Sequence, residues 1–179
     1  MKLENGMKLY HGTDACFGEI QIAGHSSPFR DFGEGFYLTS FFNQARSQAQ
    51  RKAQRNVGGK KAYVYKYEVR SFDRSKHRIL ELLHYDKAWL DFLKYNRVYG
   101  GKEKRVPENW QNLDIVYDRM ADNTWSTITE DLGRYSRNEI GSDEVISDLA
   151  KSGQWDQYCF KTESSLRLLV RIDIADVSV

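Results

Sequence analysis

The sequence has few of the features that mark metal-binding, secreted or membrane proteins. It contains two cysteines, Cys16 and Cys159, whose spacing matches neither a metal-ligand motif nor a disulfide framework. No apolar run approaches the roughly 18 residues of a membrane-spanning helix, and the N-terminus lacks the hydrophobic segment of a signal peptide. The net charge of +2 is too small to indicate nucleic-acid binding by itself. We therefore expect a soluble cytoplasmic protein with reduced cysteines, no metal and no membrane contact.

Hydrophobic periodicity predicts a mixture of helices and strands. Ala45, Ala49 and Ala53 recur every four residues, which is typical of one helix face, whereas tyrosines alternate with charged residues within 62–72 as in a strand. No repeat, linker or low-complexity segment divides the chain, so we expect a single α+β domain over residues 1–179. The predicted strands are 8–11, 35–39, 62–72, 115–117, 157–161 and 166–174, and the predicted helices are 41–54, 79–95 and 142–152.

Two glycine-containing segments within thirty residues carry the functional pattern. The first is Tyr10-His11-Gly12-Thr13, and the second is Asp-Phe-Gly-Glu-Gly-Phe-Tyr-Leu-Thr at residues 31–39. Glycine allows the backbone to approach a bound ligand closely because it has no Cβ. A histidine beside one glycine and a tyrosine just past two others would form a flat slot with hydrogen-bonding groups at its edge. Such a slot suits a planar heteroaromatic ring.

With a third segment, Trp155-Asp156-Gln157-Tyr158-Cys159-Phe160, these motifs resemble the three signature motifs of the ADP-ribosyltransferase superfamily. The similar branch is the one that includes poly(ADP-ribose) polymerases and diphtheria toxin. Further matches in the same order, at 89–92, 114–116 and 162–163, resemble a bacterial family of small single-domain proteins of this kind. The resemblance covers residues 8–169. It implies two small packed sheets, antiparallel or mixed, with flanking helices around an NAD cleft.

The resemblance also implies roles for individual residues, with NAD as the co-substrate. The catalytic set would be His11, Tyr37 and Gln157: the imidazole would hydrogen-bond NAD hydroxyls and the phenol ring would stack on nicotinamide. Backbone groups of Gly12 would pair with the carboxamide. The full predicted NAD-binding set is His11, Gly12, Thr13, Arg30, Gly35, Phe36 and Tyr37. Arg30 enters this set because a guanidinium is a fork of donors suited to the pyrophosphate, and a solvated loop arginine is the alternative.

Gln157 departs from the family pattern, in which a glutamate occupies this position. A glutamate would accept a hydrogen bond from the ribose and place a negative charge near the forming cation. Glutamine keeps the acceptor but loses the charge, so stabilisation of the transition state should be weaker. The loss of this charge has two possible consequences. The protein would be a mono-ADP-ribosyltransferase with modest turnover, or it would bind NAD or ADP-ribose without turnover. Glu163 is an alternative carboxylate, although its place after Thr162 is typical of a capped helical turn.

A second departure concerns the aromatic residue that relatives often place about eleven residues after Tyr37. Gln48 occupies that position here. Phe41 or Phe42 could take its role, although we expect both to pack in the core. The basic residues of 46–55 are expected to form a solvated helix face.

Three functional hypotheses follow. The first is an NAD-dependent transferase that modifies a macromolecule, either protein or nucleic acid; by analogy with small bacterial transferases it would be a toxin neutralised by a small antitoxin protein. The second is a non-catalytic NAD- or ADP-ribose-binding module, and the third is an interaction domain on the same scaffold. The structural alternatives are that His11 is a strand-end histidine hydrogen-bonded to a neighbouring group, and that Tyr37 is a core residue. Partner contacts are expected at 100–112 and 120–137.

Overall fold

The computed structural model describes residues 3–22, 27–55, 61–102, 106–119, 125–150 and 155–178. These residues form seven strands and five α-helices. The strands are β1 (Lys8–Thr13), β2 (Phe36–Leu38), β3 (Tyr63–Val69), β4 (Ile79–Leu82), β5 (Ile115–Arg119), β6 (Asp156–Phe160) and β7 (Leu169–Asp176). The helices are α1 (Phe42–Arg55), α2 (Lys87–Arg97), α3 (Trp125–Ser136), α4 (Ser142–Leu149) and α5 (Glu163–Leu166).

The strands form two small sheets, as expected for the α+β class. The first sheet has the order β1-β3-β7 and is antiparallel throughout. The second has the order β2-β6-β5-β4 and is mixed, because β4 runs parallel to β5. The sheets meet at β1 and the end of β2, where Tyr10 and Thr39 exchange backbone hydrogen bonds of 2.7 and 2.9 Å.

Strand β6 shows how alternation divides the core between two layers, because successive side chains point to opposite faces of a sheet. Tyr158 and Phe160 are buried with residues of the first sheet, including Tyr65 and Tyr67. Cys159 points the other way into a second cluster. That cluster joins the second sheet to the helices through side chains such as Trp89, Leu93, Leu132, Val145 and Leu149.

Helix α1 packs on the first sheet through the alanine stripe that the sequence predicts. Ala45 and Ala49 are fully buried, and with Ala53 they contact Val64 of β3. The start of α1 is anchored to β6 by the Asp156 carboxylate, which accepts hydrogen bonds from the Ser40 backbone N–H at 2.8 Å and from its hydroxyl. This anchoring fixes α1 alongside β1 and above the junction of the sheets.

The structure corrects several predicted boundaries. Residues 79–95 were expected to form one helix, but β4 occupies Ile79–Leu82 and α2 begins only at Lys87. The reason is local: Asp86 caps α2 by accepting the Trp89 N–H at 2.9 Å, and β4 pairs with β5. The last strand begins at Leu169 because α5 takes the residues before it. Helix α3 was not predicted, and the expected end of α4 near residue 152 lies outside the described residues.

Two further properties of the described residues concern the cysteines and the length of the apolar helices. Cys16 is exposed, Cys159 is buried, and neither forms a disulfide. Among the residues with described positions, no helix is both long and apolar enough to cross a membrane.

Candidate functional site

A cleft of about 580 Å³ opens beside the junction of the two sheets. Six of the eight predicted site residues line it, namely His11, Thr13, Arg30, Gly35, Phe36 and Tyr37. The remaining walls come from the loop after β1 and from Lys52 of α1. Cavities of about 330 and 620 Å³ elsewhere contain none of the eight predicted residues. The cleft beside β1 is therefore the candidate site.

The imidazole of His11 is held in one orientation and one tautomer. Its Nδ1 lies 2.7 Å from the backbone carbonyl oxygen of Tyr37. Because a carbonyl can only accept, Nδ1 carries the proton, and Nε2 keeps a lone pair that can accept a hydrogen bond. The ring stacks on Phe36, with centroids 4.5 Å apart, and meets the edge of Phe17.

His11 is also kept neutral. By accessible surface its side chain is only half-buried, yet protein atoms surround the ring closely. This burial, followed by the positive charge of Lys52, lowers the pKa of His11 to about 3 from an ordinary 6.5. The hydrogen bond to Tyr37 acts in the opposite direction but is a smaller effect. At neutral pH His11 is therefore an uncharged acceptor at Nε2.

The hydroxyl of Tyr37 forms hydrogen bonds with the backbone of the loop before β2. It donates to the Gly33 carbonyl at 2.5 Å and accepts the Phe32 N–H at 3.2 Å, which ties the preceding loop to β2. Burial raises the pKa of this phenol well above its ordinary value, so it stays protonated. Its ring stacks with the buried Phe32 ring, with centroids 6.3 Å apart, and the Arg30 guanidinium lies over it, 5.4 Å from the ring centroid. Arg30 therefore covers one face of the ring, and both residues line the cleft.

The two glycines of the predicted site are required by packing within the protein. A Cβ on Gly12 would lie 1.9 Å from the carbonyl oxygen of Ala45, because α1 crosses β1 at this point. A Cβ on Gly35 would lie 2.4 Å from Cys159 Sγ on the neighbouring strand. Packing within the protein therefore accounts for glycine at both positions, and close approach of a ligand to their backbone stays a prediction.

Gln157 stands apart from the cleft lining. Its Nε2 donates to Asp31 Oδ2 at 3.3 Å, and the buried Asp31 also forms an ion pair with the buried Arg97 of α2. Asp31 directly precedes Phe32, whose N–H bonds to the Tyr37 hydroxyl. The structure thus brings His11 and Tyr37 together in one cleft and places Gln157 outside the cleft lining, connected to Tyr37 through the 31–32 backbone.

Glu163 occupies the capped turn that its sequence context predicts. Thr162 is the N-cap of α5, and its hydroxyl accepts the Ser165 N–H at 3.3 Å. The Glu163 side chain is exposed and lines the smaller cavity of about 330 Å³. The candidate cleft does not include it.

The aromatic residue beside His11 is Phe17, which sequence reasoning missed. Phe17 stacks on Tyr65 with centroids 4.2 Å apart and lines the cleft. Phe41 and Phe42 do not pack in the core as expected: they are 37% and 38% exposed, and neither lines the cleft. The loop after β1 has no periodic pattern, so only its position after the histidine motif marks Phe17.

Lys52 is the second residue that sequence reasoning missed. It was grouped with the solvated basic face of 46–55, but its Nζ donates to the Gly12 carbonyl at 2.7 Å and it lines the cleft. Burial, then the positive charge of Arg30, lowers the pKa of Lys52 to about 8, with Asp14 opposing. A usable sequence pattern existed, because residue 52 follows Ala45 by seven and Ala49 by three, which is the buried helix face.

Comparison with known proteins assigns the family. Residues 7–170 match a family described as "Protein of unknown function (DUF3990)", and the chain belongs to this family. The match spans nearly the whole chain. No curated protein and no solved structure gives a significant match.

Proposed function

We propose that this protein is an NAD-dependent ADP-ribosyltransferase that transfers ADP-ribose to a macromolecule, on an ADP-ribosyltransferase fold. The observation that carries the proposal is the hydrogen bond between His11 and the Tyr37 backbone. It presents a neutral imidazole acceptor and an aromatic ring to one cleft, at the junction of two small sheets. The three motifs that resemble the superfamily lie on β1, β2 and β6, and β2 and β6 are paired.

The chemistry required is cleavage of the bond between nicotinamide nitrogen and the ribose anomeric carbon, through a transition state with oxocarbenium character. Nicotinamide leaves with the bonding electron pair, a nucleophile of the acceptor attacks the anomeric carbon, and the acceptor loses its proton to solvent. His11 accepts a ribose hydroxyl at Nε2 and thereby orients the sugar. Its low pKa makes it a positioning residue and a poor proton acceptor.

A second candidate function is binding of NAD or ADP-ribose without turnover. It is favoured by Gln157, whose amide is neutral and engaged by Asp31, so that it adds no negative charge beside the anomeric carbon. Electrostatic stabilisation of developing charge is usually a large part of catalysis. Slow turnover and no turnover are the two consequences to separate by experiment.

The biological setting belongs to the same proposal. A small transferase of this kind acts in the cytoplasm on protein or nucleic acid, as a toxin that a small antitoxin protein neutralises. The surfaces for such partners are residues 100–112 and 120–137, which include α3. Residues 103–105 and 120–124 of these segments lie outside the described residues.

Incubation with NAD labelled in the adenylate part tests the proposal. Wild type is compared with His11→Ala and Tyr37→Ala, and the matched controls are His84→Ala and Tyr99→Ala, which change exposed residues outside the cleft. We expect nicotinamide release with label on a macromolecule, reduced on the order of 100-fold by either cleft variant because positioning is lost. Saturable binding without nicotinamide release selects the second candidate. Absence of NAD binding by the wild type excludes both.

A further inference from the structure

Lys52 is the one lysine of α1, and it projects from the helix face that packs on β1. The side chain is half-buried, and Nζ donates to the Gly12 carbonyl at 2.7 Å, directly after His11 in the chain. Because Ala45 and Ala49 hold α1 against β1, the lysine stem has a fixed origin. Its ammonium group is therefore placed at the wall of the cleft that also carries the imidazole.

Arg30 brings a second positive charge to the same part of the cleft. Its guanidinium lies over the Tyr37 ring, and both residues line the cleft with Lys52. The charges of Lys52 and Arg30 both lower the pKa of His11, so their fields overlap at the imidazole. Burial and then the charge of Arg30 lower the pKa of Lys52 to about 8, and the charge of Asp14 opposes this shift. Two cationic side chains therefore line the same part of the cleft.

We propose that Lys52 and Arg30 form a binding site for a phosphate or pyrophosphate group in this cleft. The inference rests on the proposed function, in which the pyrophosphate of NAD is the ligand group, and it adds Lys52 to the set that the sequence motifs define. The ammonium exchanges the Gly12 carbonyl for a phosphate oxygen, and the guanidinium leaves the Tyr37 ring to bind a second oxygen. Charged hydrogen bonds of this kind are about twice as strong as neutral ones.

The same movement explains how one cleft accommodates both ends of the ligand. While Arg30 lies over Tyr37, a nicotinamide ring cannot occupy that ring face. When Arg30 turns to the pyrophosphate, the face is exposed for stacking. Release of Lys52 also frees the Gly12 carbonyl to accept from the carboxamide nitrogen. Anion binding and ring binding are therefore coupled through two side chains.

A pH dependence follows from the charge of Lys52. Among the groups that face Lys52, Arg30 and Asp14 are the charged side chains, and the pKa of His11, at about 3, keeps the imidazole neutral. Lys52 loses its proton as the pH rises through about 8, the value to which its pKa is lowered. A bound anion favours the protonated amine, so binding takes up a proton near pH 8.5 and weakens as the pH rises.

Isothermal titration calorimetry with three probes tests the inference: NAD, inorganic pyrophosphate and nicotinamide riboside, which has no phosphate. The variants are Lys52→Gln, Lys52→Arg and the control Arg51→Gln, which removes the same charge from an exposed position one residue earlier. We expect Lys52→Gln to weaken NAD binding by about tenfold or more, whereas binding of nicotinamide riboside should not weaken, because this probe has no phosphate and the variant frees the Gly12 carbonyl. Lys52→Arg should retain affinity for NAD and lose the pH dependence. Arg51→Gln should match the wild type.

The outcomes separate this inference from the proposed function. Equal NAD affinity of the wild type and Lys52→Gln overturns the phosphate site and leaves the proposed function standing. Pyrophosphate binding that depends on Lys52, in a wild type that does not bind NAD, supports the phosphate site and overturns the proposed function. Absence of binding for both probes overturns both. Proton uptake on NAD binding, measured for the wild type in two buffers near pH 8.5, tests the site even if Lys52→Gln fails to fold; no uptake contradicts it.

Discussion

At the scale of single residues, the groups around the His11 imidazole determine its tautomer and its charge. The Tyr37 carbonyl fixes the proton on Nδ1, and the neighbouring rings and Lys52 oppose a second proton. A histidine in this state cannot serve as a cation or as an effective proton acceptor near neutral pH. It can serve as a rigid acceptor for a hydroxyl, which is the role the proposed reaction requires of it.

The low pKa of His11 predicts how stability depends on pH. The folded form stays neutral down to about pH 3, whereas the unfolded chain protonates below its ordinary value of 6.5. The unfolded state therefore binds more protons between these values, and stability falls as the pH drops through this window. We expect wild type to lose more unfolding free energy than His11→Gln between about pH 7.5 and 5.5, measured by denaturant titration. His84→Gln, at an exposed position, is the control. Parallel pH curves for wild type and His11→Gln would contradict the assignment.

Some of the candidate site was predictable at this scale and some was not. His11 and Tyr37 are recognisable because each lies in a short segment whose glycine spacing is set by close backbone packing. Lys52 was recognisable in principle from its place on the alanine face of α1. The contact of Gln157 with Asp31 could not be predicted from the sequence, because it joins positions 126 residues apart and depends on the packing of three elements.

At the scale of elements, the close contact between α1 and β1 brings Lys52 to the wall of the cleft. Alanine faces the strand on the helix side, and Gly12 faces the helix on the strand side, so the two backbones approach closely. Lys52 reaches the Gly12 carbonyl only because of this short separation. The geometry of the site is thus a consequence of two small residues opposite each other.

The variant Gly12→Ala tests this packing. Its Cβ would lie 1.9 Å from the Ala45 carbonyl oxygen, a backbone atom that cannot move without shifting the helix. We expect the free energy of unfolding to fall by about 3 kcal/mol or more, as for severe overpacking. Gly18→Ala is the matched control, because no atom lies within 4 Å of its added Cβ, and its effect should stay within about 0.5 kcal/mol. Equal stability of the two variants in chemical denaturation would refute the close contact.

The predictability of the elements depends on their length. The long α1 and β3 carry enough repeats of their pattern to be identified, and the structure confirms both. Strand β4 has four residues, and it pairs with residues of β5 that lie 36 positions away, so the sequence pattern places Leu82 in the helical period that continues into α2. Helix α3 buries Ile128 and Leu132 one turn apart within a mainly polar segment, which is a weak periodic pattern.

At the scale of the whole molecule, the loop before β2 is the point at which distant parts of the chain converge. Lys161, just after β6, donates to the carbonyl oxygens of Phe32 and Glu34 at 2.5 and 2.8 Å. Asp31 contacts Arg97 of α2 and Gln157 of β6, and Tyr37 binds the next two residues through its hydroxyl. The Tyr37 ring, which lines the cleft, is therefore supported by the second sheet and by α2 together.

This network explains why a glutamate is not simply interchangeable with Gln157. Gln157→Glu would place a carboxylate about 3.3 Å from Asp31, where the amide now donates. Like charges at this distance disfavour each other, so we expect unfolding free energy to fall by about 1–3 kcal/mol. Gln111→Glu, at an exposed position, controls for the added charge and should change stability by less than about 0.5 kcal/mol.

A double-variant cycle with Asp31→Asn shows whether the repulsion is the cause. Asp31→Asn alone removes the carboxylate from the buried Arg97 and should cost about 3–5 kcal/mol. In the double variant the carboxylate introduced by Gln157→Glu faces a neutral amide beside Arg97, so the loss of stability should be smaller than the sum of the single losses by about 0.5 kcal/mol or more. Denaturant titration at neutral pH and low salt measures all four proteins. Additive losses of unfolding free energy would mean that residues 157 and 31 do not interact. The contacts of Asp31 would then not couple β6 to α2.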